Sequence, residues 1–159
     1  MKSKGYTLIE ILVVLTVIGI IFGIGYAAYR DFSRRQALAG AAKMVEGDIR
    51  SAQQNALSGQ KPISGCTSLN GVSFDITSAT TYSINYVCGG GVLVKNSVTL
   101  PTNITIAVSP LSGDPILFKV LGDGTNIPNG GNVIITITQA GTNKTSTITI
   151  GSGGDIKQE

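Results

Sequence analysis

The chain has 159 residues, room for one modest domain and an accessory segment. Charged residues make up 13%, about half the usual share, and histidine and tryptophan are absent. Without histidine the common nucleophile–base pairs and standard zinc sites are missing, so no enzyme activity, catalytic residue, metal or cofactor is expected. The net charge of +3 belongs to the first 35 residues, which carry five basic and two acidic side chains; the remainder carries seven of each. A balanced outer domain lacks the basic patch that phosphate binding needs, so nucleic acid is not expected as a partner.

The chain opens Met1-Lys2-Ser3-Lys4-Gly5, then Tyr6-Thr7-Leu8-Ile9-Glu10, and runs into an uncharged apolar segment from Ile11 to Tyr29. As a helix, that run spans roughly 28 Å, close to the hydrocarbon core of a bilayer. Glu10 stands at its edge, where an ionised carboxylate carried toward the bilayer centre costs about 2.5–3.5 kcal/mol, so it needs a partner or a shallow position. The leading residues are too short and polar for a secretory signal, whose apolar region precedes its cleavage site. Lys2 and Lys4 place the N-terminus in the cytoplasm. Arg30, Arg34 and Arg35 then fall on the opposite side, where headgroups or neighbouring subunits can receive them.

This arrangement resembles the type IV prepilin leader, a short basic stretch ending in glycine. The resemblance rests on Lys2, Lys4, Gly5, Thr7, Leu8, Ile9 and Glu10 and covers about 25 residues. It implies cleavage between Gly5 and Tyr6 by prepilin peptidase, N-methylation of Tyr6 as the first mature residue, and an assembly role for Glu10. The family favours phenylalanine where Tyr6 stands. In the family the glutamate pairs with the amino terminus of a preceding subunit. In a helix reaching Tyr6, its own terminus would lie only about 6 Å along the axis from Glu10, so an intramolecular pair is also conceivable.

Beyond Tyr29, Leu38, Ala41, Ala42, Val45, Ile49, Ala52 and Ala56 step by three and four, the mark of an amphipathic helix with a narrow stripe of small residues. No proline interrupts the chain before Pro62, and Gly59 reads as the stop. One helix is expected from about Thr7 to Ser58. Gly19, Gly23 and Gly25 within it serve either close approach of neighbouring helices or local melting in a filament. The family's frequent proline near Ala27 is absent.

From Val72 the period becomes two. Seven strands are expected, over 72–77, 81–87, 92–100, 104–108, 116–120, 133–138 and 145–150. Antiparallel pairing is expected because no crossover helix is available. The helical stripe is the cover for the sheet's apolar face. The expected fold is α+β: a leader at 1–5, a transmembrane and assembly helix at 6–29, its amphipathic continuation at 30–59, and a β-rich extracytoplasmic domain at 60–159. The C-terminal third, with Leu117-Phe-Lys-Val, Gly122, Pro128 and Gly153-Gly-Asp-Ile156, is similar to the end of GspH/FimT-type minor pseudopilins.

Cys66 and Cys88 fall outside the cytoplasm in this topology, where a disulfide is favoured over a metal site. Asp123-Gly-Thr-Asn126 reads as a polar turn with a faint likeness to a calcium loop, lacking the downstream bidentate acid. Asn103-Ile-Thr105 and Asn143-Lys-Thr145 fit glycosylation triplets, which arise by chance in chains rich in Asn and Thr. The resemblance implies a structural subunit of a type IV pilus or type II secretion pseudopilus. It would wait as a single-pass protein in the inner membrane before assembly. Its partners would be the peptidase, other pilin or pseudopilin subunits, an inner-membrane assembly platform and membrane lipid. The alternatives are a DNA-binding minor pilin for uptake and a single-span protein that never polymerises.

Overall fold

The computed structural model describes residues 5–159; the leader lysines lie outside the described residues. A single helix, α1 (Leu8–Leu57), runs 50 residues, about 75 Å by the rise per residue. Ser58 caps it, its N–H bonded to carbonyls of the last turn, and Gly59 follows at φ +61°, a left-handed stop that glycine adopts without strain.

Alternation then builds eight strands: β1 (Leu69–Ser78), β2 (Thr81–Cys88), β3 (Gly91–Thr99), β4 (Ile104–Ser109), β5 (Ile116–Lys119), β6 (Asn132–Gln139), β7 (Lys144–Gly151) and β8 (Ile156–Gln158). All pairings are antiparallel. They form two four-stranded sheets, ordered β3-β2-β1-β5 and β4-β6-β7-β8. The long helix packed on an antiparallel β-domain is as expected; to the seven strands read from alternation the structure adds an eighth, and it divides them between two sheets. β8 is three residues long, too short for alternation to register. The split arises because β4 leaves its sequence neighbours to pair with β6, while β5 returns to the outer edge of β1.

Both sheets turn their apolar residues to one helical stripe. Ala42, Val45, Ile49, Ala52 and Ala56 are wholly buried against Val72, Phe74, Ile116, Ile135, Ile137, Ile148 and Ile150. The small side chains let the sheets approach the helix closely, and the larger Val45 and Ile49 fill the space between them. Burial of such a side chain stabilises by about 1.5–3 kcal/mol. At the top of the helix Gln53 Nε2 donates to the Gly154 carbonyl at 2.6 Å. At the lower end Arg34 Nη1 donates to the Gly141 carbonyl in the β6–β7 turn at 3.3 Å.

One polar tie crosses the core. The Tyr82 ring is fully buried and stacks on Phe74 with centroids 4.8 Å apart, and its hydroxyl donates to Asp48 on α1. Burial, the hydrogen bond and the charge of Asp48 together push the Tyr82 phenol well above its usual value of 10.0. The folded protein therefore holds a proton that the unfolded chain releases once the pH passes about 10, so stability is fully present below that pH and falls above it. Tyr82→Phe keeps the ring and leaves the Asp48 carboxylate short of a donor. It should cost about 1–2 kcal/mol at neutral pH and flatten the alkaline fall, as read by denaturant unfolding at pH 7 and 10.5.

Cys66 and Cys88 form a disulfide that ties the loop after α1 to the end of β2. Closing a loop of 22 residues stabilises by about 3 kcal/mol in the chain-entropy account. Asp114 braces the β4–β5 connection by accepting the Ile76 N–H at 3.2 Å. Its carboxyl is raised from the usual value, chiefly by burial and further by the charge of Asp75, against the lowering effect of that hydrogen bond.

Candidate assembly segment

Thr7 begins the segment. It is extended, at φ −80° and ψ 152°, and its side chain accepts the Glu10 N–H at 3.3 Å while its carbonyl accepts the same N–H at 3.1 Å. This is an N-cap, with Glu10 at the third helical position, where a carboxylate also complements the positive end of the helix dipole. Tyr6 therefore lies outside the helix, exposed, with Gly5 before it. The axial distance of about 6 Å from Tyr6 to Glu10 does not apply, because the cap turns the chain off the helix axis at Thr7. The signal was present in the sequence: Thr7-Leu-Ile-Glu10 fits the capping-box pattern.

From Leu8 to Phe32 the large apolar side chains of α1 that the structure describes stand exposed around the helix, among them Leu8, Leu15, Ile20, Phe22, Tyr26 and Tyr29. Among the described residues the first buried position of the helix is Leu38. Gly19, Gly23 and Gly25 face open space, with nothing near where a Cβ would stand. The chain thus builds a helix whose upper part is the core of a domain and whose lower part has no cover among the described residues. It is long and apolar enough to cross a membrane. Glu10 is exposed there and makes no ion pair among the described residues.

The polar features of the sequence take structural places. Asn126 is exposed and clasps β5, its side-chain amide accepting the Leu117 N–H and donating to the Pro115 carbonyl, both at 2.9 Å. Thr125 is buried and donates to the Ser152 carbonyl at 3.1 Å. Asp123 stands exposed beside Lys119 at 3.7 Å. The turn 123–126 is a brace between β5 and the β7–β8 connection. Asn103 and Asn143 sit at φ 65° and 50°, left-handed turn positions that asparagine tolerates better than most residues. Sequence reasoning did not anticipate Tyr82–Asp48 or Arg34–Gly141, because nothing in a linear pattern pairs residues this far apart.

A long helix, apolar and exposed below and packed under two antiparallel sheets above, headed by a capped Thr-x-x-Glu turn, is a pilin-like architecture. Residues 1–26 match the prokaryotic N-terminal methylation motif. The chain is 31% identical over 100 residues to a fimbrial protein of Neisseria meningitidis serogroup A; the match covers 63% of this chain and 55% of that protein, so it spans little more than half the relative's length. The fold is similar to the minor pseudopilin EpsH from the type 2 secretion system of Vibrio cholerae, with a TM-score of 0.55 and 13% identity over 77% of this chain and 95% of that one. Motif, relative and fold converge on the type IV pilin and pseudopilin class.

Proposed function

We propose that the protein is a structural subunit of a type IV pilus or a type II secretion pseudopilus, cut after Gly5 by prepilin peptidase and methylated on Tyr6. Before assembly, residues 6–29 cross the inner membrane with residues 60–159 outside the cytoplasm. The observation that carries this reading is the exposed apolar surface that the described residues of α1 present from Leu8 to Phe32, most of it within the methylation motif at residues 1–26. A surface of that kind is stable only in lipid or against other apolar helices. Lipid serves while the subunit waits, and the same surface packs against neighbouring helices once a platform lifts the subunit from the membrane. Gly19, Gly23 and Gly25 leave room for close helix approach in that packing.

Gly5 and Tyr6 lie ahead of the cap, outside the helix and exposed, where a peptidase can reach them. Glu10 is the carboxylate that docks on the amino terminus of another subunit. The test is Edman sequencing and intact mass of the protein extracted from a host that carries the peptidase. The mature chain should begin at Tyr6 with one added methyl group. A chain that still begins at Met1 in the presence of active peptidase would remove the assembly reading.

A further inference from the structure

We infer that the lower end of the β-domain carries a basic collar, formed by Arg30, Arg34 and Lys144, that binds the phosphates of anionic phospholipid headgroups in the outer leaflet around α1. The inference rests on the reading that the lower half of α1 crosses a bilayer. The sequence left the positive charges after Tyr29 open to headgroups or to other subunits, and their placement decides between them.

Tyr26, Arg30, Arg34 and Leu38 are spaced four apart, so each is the helical neighbour of the next along α1. Tyr26 lies at the end of the apolar run, with the Arg30 guanidinium 5.7 Å from its ring centroid. Leu38 is the first buried residue of the core. Between them, Arg30 and Arg34 stand about 1.5 and 7.5 Å along the axis from Tyr29. The headgroup layer on each side of a bilayer is about 5–7 Å deep, so both guanidiniums fall within or at the edge of it. An aromatic ring beside a basic residue at this depth is the usual interfacial anchor.

The β-domain adds the third charge. The Gly141 carbonyl, in the β6–β7 turn, accepts from Arg34, and a Cβ on Gly141 would stand 3.0 Å from the guanidinium carbon. Glycine thus lets the turn close onto the arginine. The same turn carries Lys144, exposed, as the first residue of β7. Arg34 spends one donor on a neutral carbonyl and keeps the rest of its fork for a phosphate. Arg30, Arg34 and Lys144 make no ion pair among the described residues. Asp31, the acid nearest on the helix, is taken by Arg35 at 2.6 Å. Glu159 lies beside Thr147, three residues further up β7. Nucleic acid is disfavoured because the collar adjoins the apolar run and the domain above it has no net charge.

The test uses the full chain with Lys2→Gln and Lys4→Gln in every variant, so that the leader supplies no signal. The protein is reconstituted in phosphatidylcholine bilayers, and its retention is checked by alkaline carbonate extraction. Spin-labelled phosphatidylglycerol and phosphatidylcholine then report which lipid contacts the protein. The expected preference for phosphatidylglycerol is on the order of fivefold, falling toward none in 1 M salt. Arg30→Gln/Arg34→Gln/Lys144→Gln should abolish it, and Arg30→Lys/Arg34→Lys should retain most of it. A retained chain with no preference overturns the collar while leaving the membrane reading intact. A preference that survives the triple glutamine substitution overturns it as well. A chain released by carbonate overturns the membrane reading and the collar together. If the triple variant loses its native circular dichroism, the salt response and the lysine variant decide.

Discussion

Glu10→Ala should leave a protein that inserts in the membrane and is cut after Gly5, yet enters filaments at less than about a tenth of the wild-type yield in the presence of its own machinery. The expected size follows from an uncompensated charge. A carboxylate carried into the apolar layer costs about 2.5–3.5 kcal/mol, and a subunit that neutralises it at a docking site recovers much of that. Each 1.4 kcal/mol is a factor of ten in the docking equilibrium, so losing even half of the coupling produces the stated drop. The local structure sharpens the design of the experiment. The Glu10 backbone N–H, not its side chain, is held by Thr7, so the alanine variant keeps the cap. Any loss of filaments then reports on the carboxylate rather than on the start of the helix. Glu10→Gln separates charge from shape: a docking ion pair predicts that glutamine fails nearly as fully as alanine. Sheared-fraction yield with matched membrane levels is the measurement, and wild-type yield from Glu10→Ala would show that the carboxylate does not direct assembly.

Ile49→Ala should destabilise the β-domain by about 2–5 kcal/mol, the range for removing a buried branched side chain and leaving a cavity. Ile49 is wholly buried in the stripe that both sheets share, so neither sheet can close over the gap without leaving the helix. The control is Met44→Ala on the outer side of the same helix, where the side chain is 37% exposed. That change should stay within about 1 kcal/mol. Denaturant unfolding of the detergent-solubilised chain, followed by the signal of the β-domain, checks both. Similar losses at the two positions would mean that the helix stabilises the domain by its continuity and not through this face. The disulfide holds Cys66 to β2 independently of the stripe, so partial retention of β-structure in Ile49→Ala is expected.

The N-terminal half was legible because its signals are local. A charge-free run of helical length needs no partner in the chain to be recognised, and the spacing from Gly5 to Glu10 is fixed by adjacent residues. The stripe from Leu38 to Ala56 was equally plain, since helical period places those positions on one face whatever covers it. Its members are buried as that period requires. The pairing of Cys66 with Cys88 followed from composition and compartment. Thr7 was in view only as part of a motif, and its capping of Glu10 emerged from backbone geometry.

What alternation could not supply was partnership. Period two says that a segment is a half-buried strand and stays silent on its neighbour. β4 and β5 read alike, yet one joins β6 and the other joins β1, a choice fixed by long-range packing against α1 and by the reach of their connections. The same holds for the contacts between residues far apart in sequence, Tyr82 with Asp48 and Arg34 with Gly141. The sequence by itself determined one long helix, apolar in its first half and amphipathic in its second, and an α+β body, because those depend on period and local charge. Only the tertiary structure decided that the body is two sheets sharing one helical stripe, and that the β6–β7 turn of the second sheet meets Arg34 above the apolar run, because hydrogen bonding and packing act between segments that no local pattern connects.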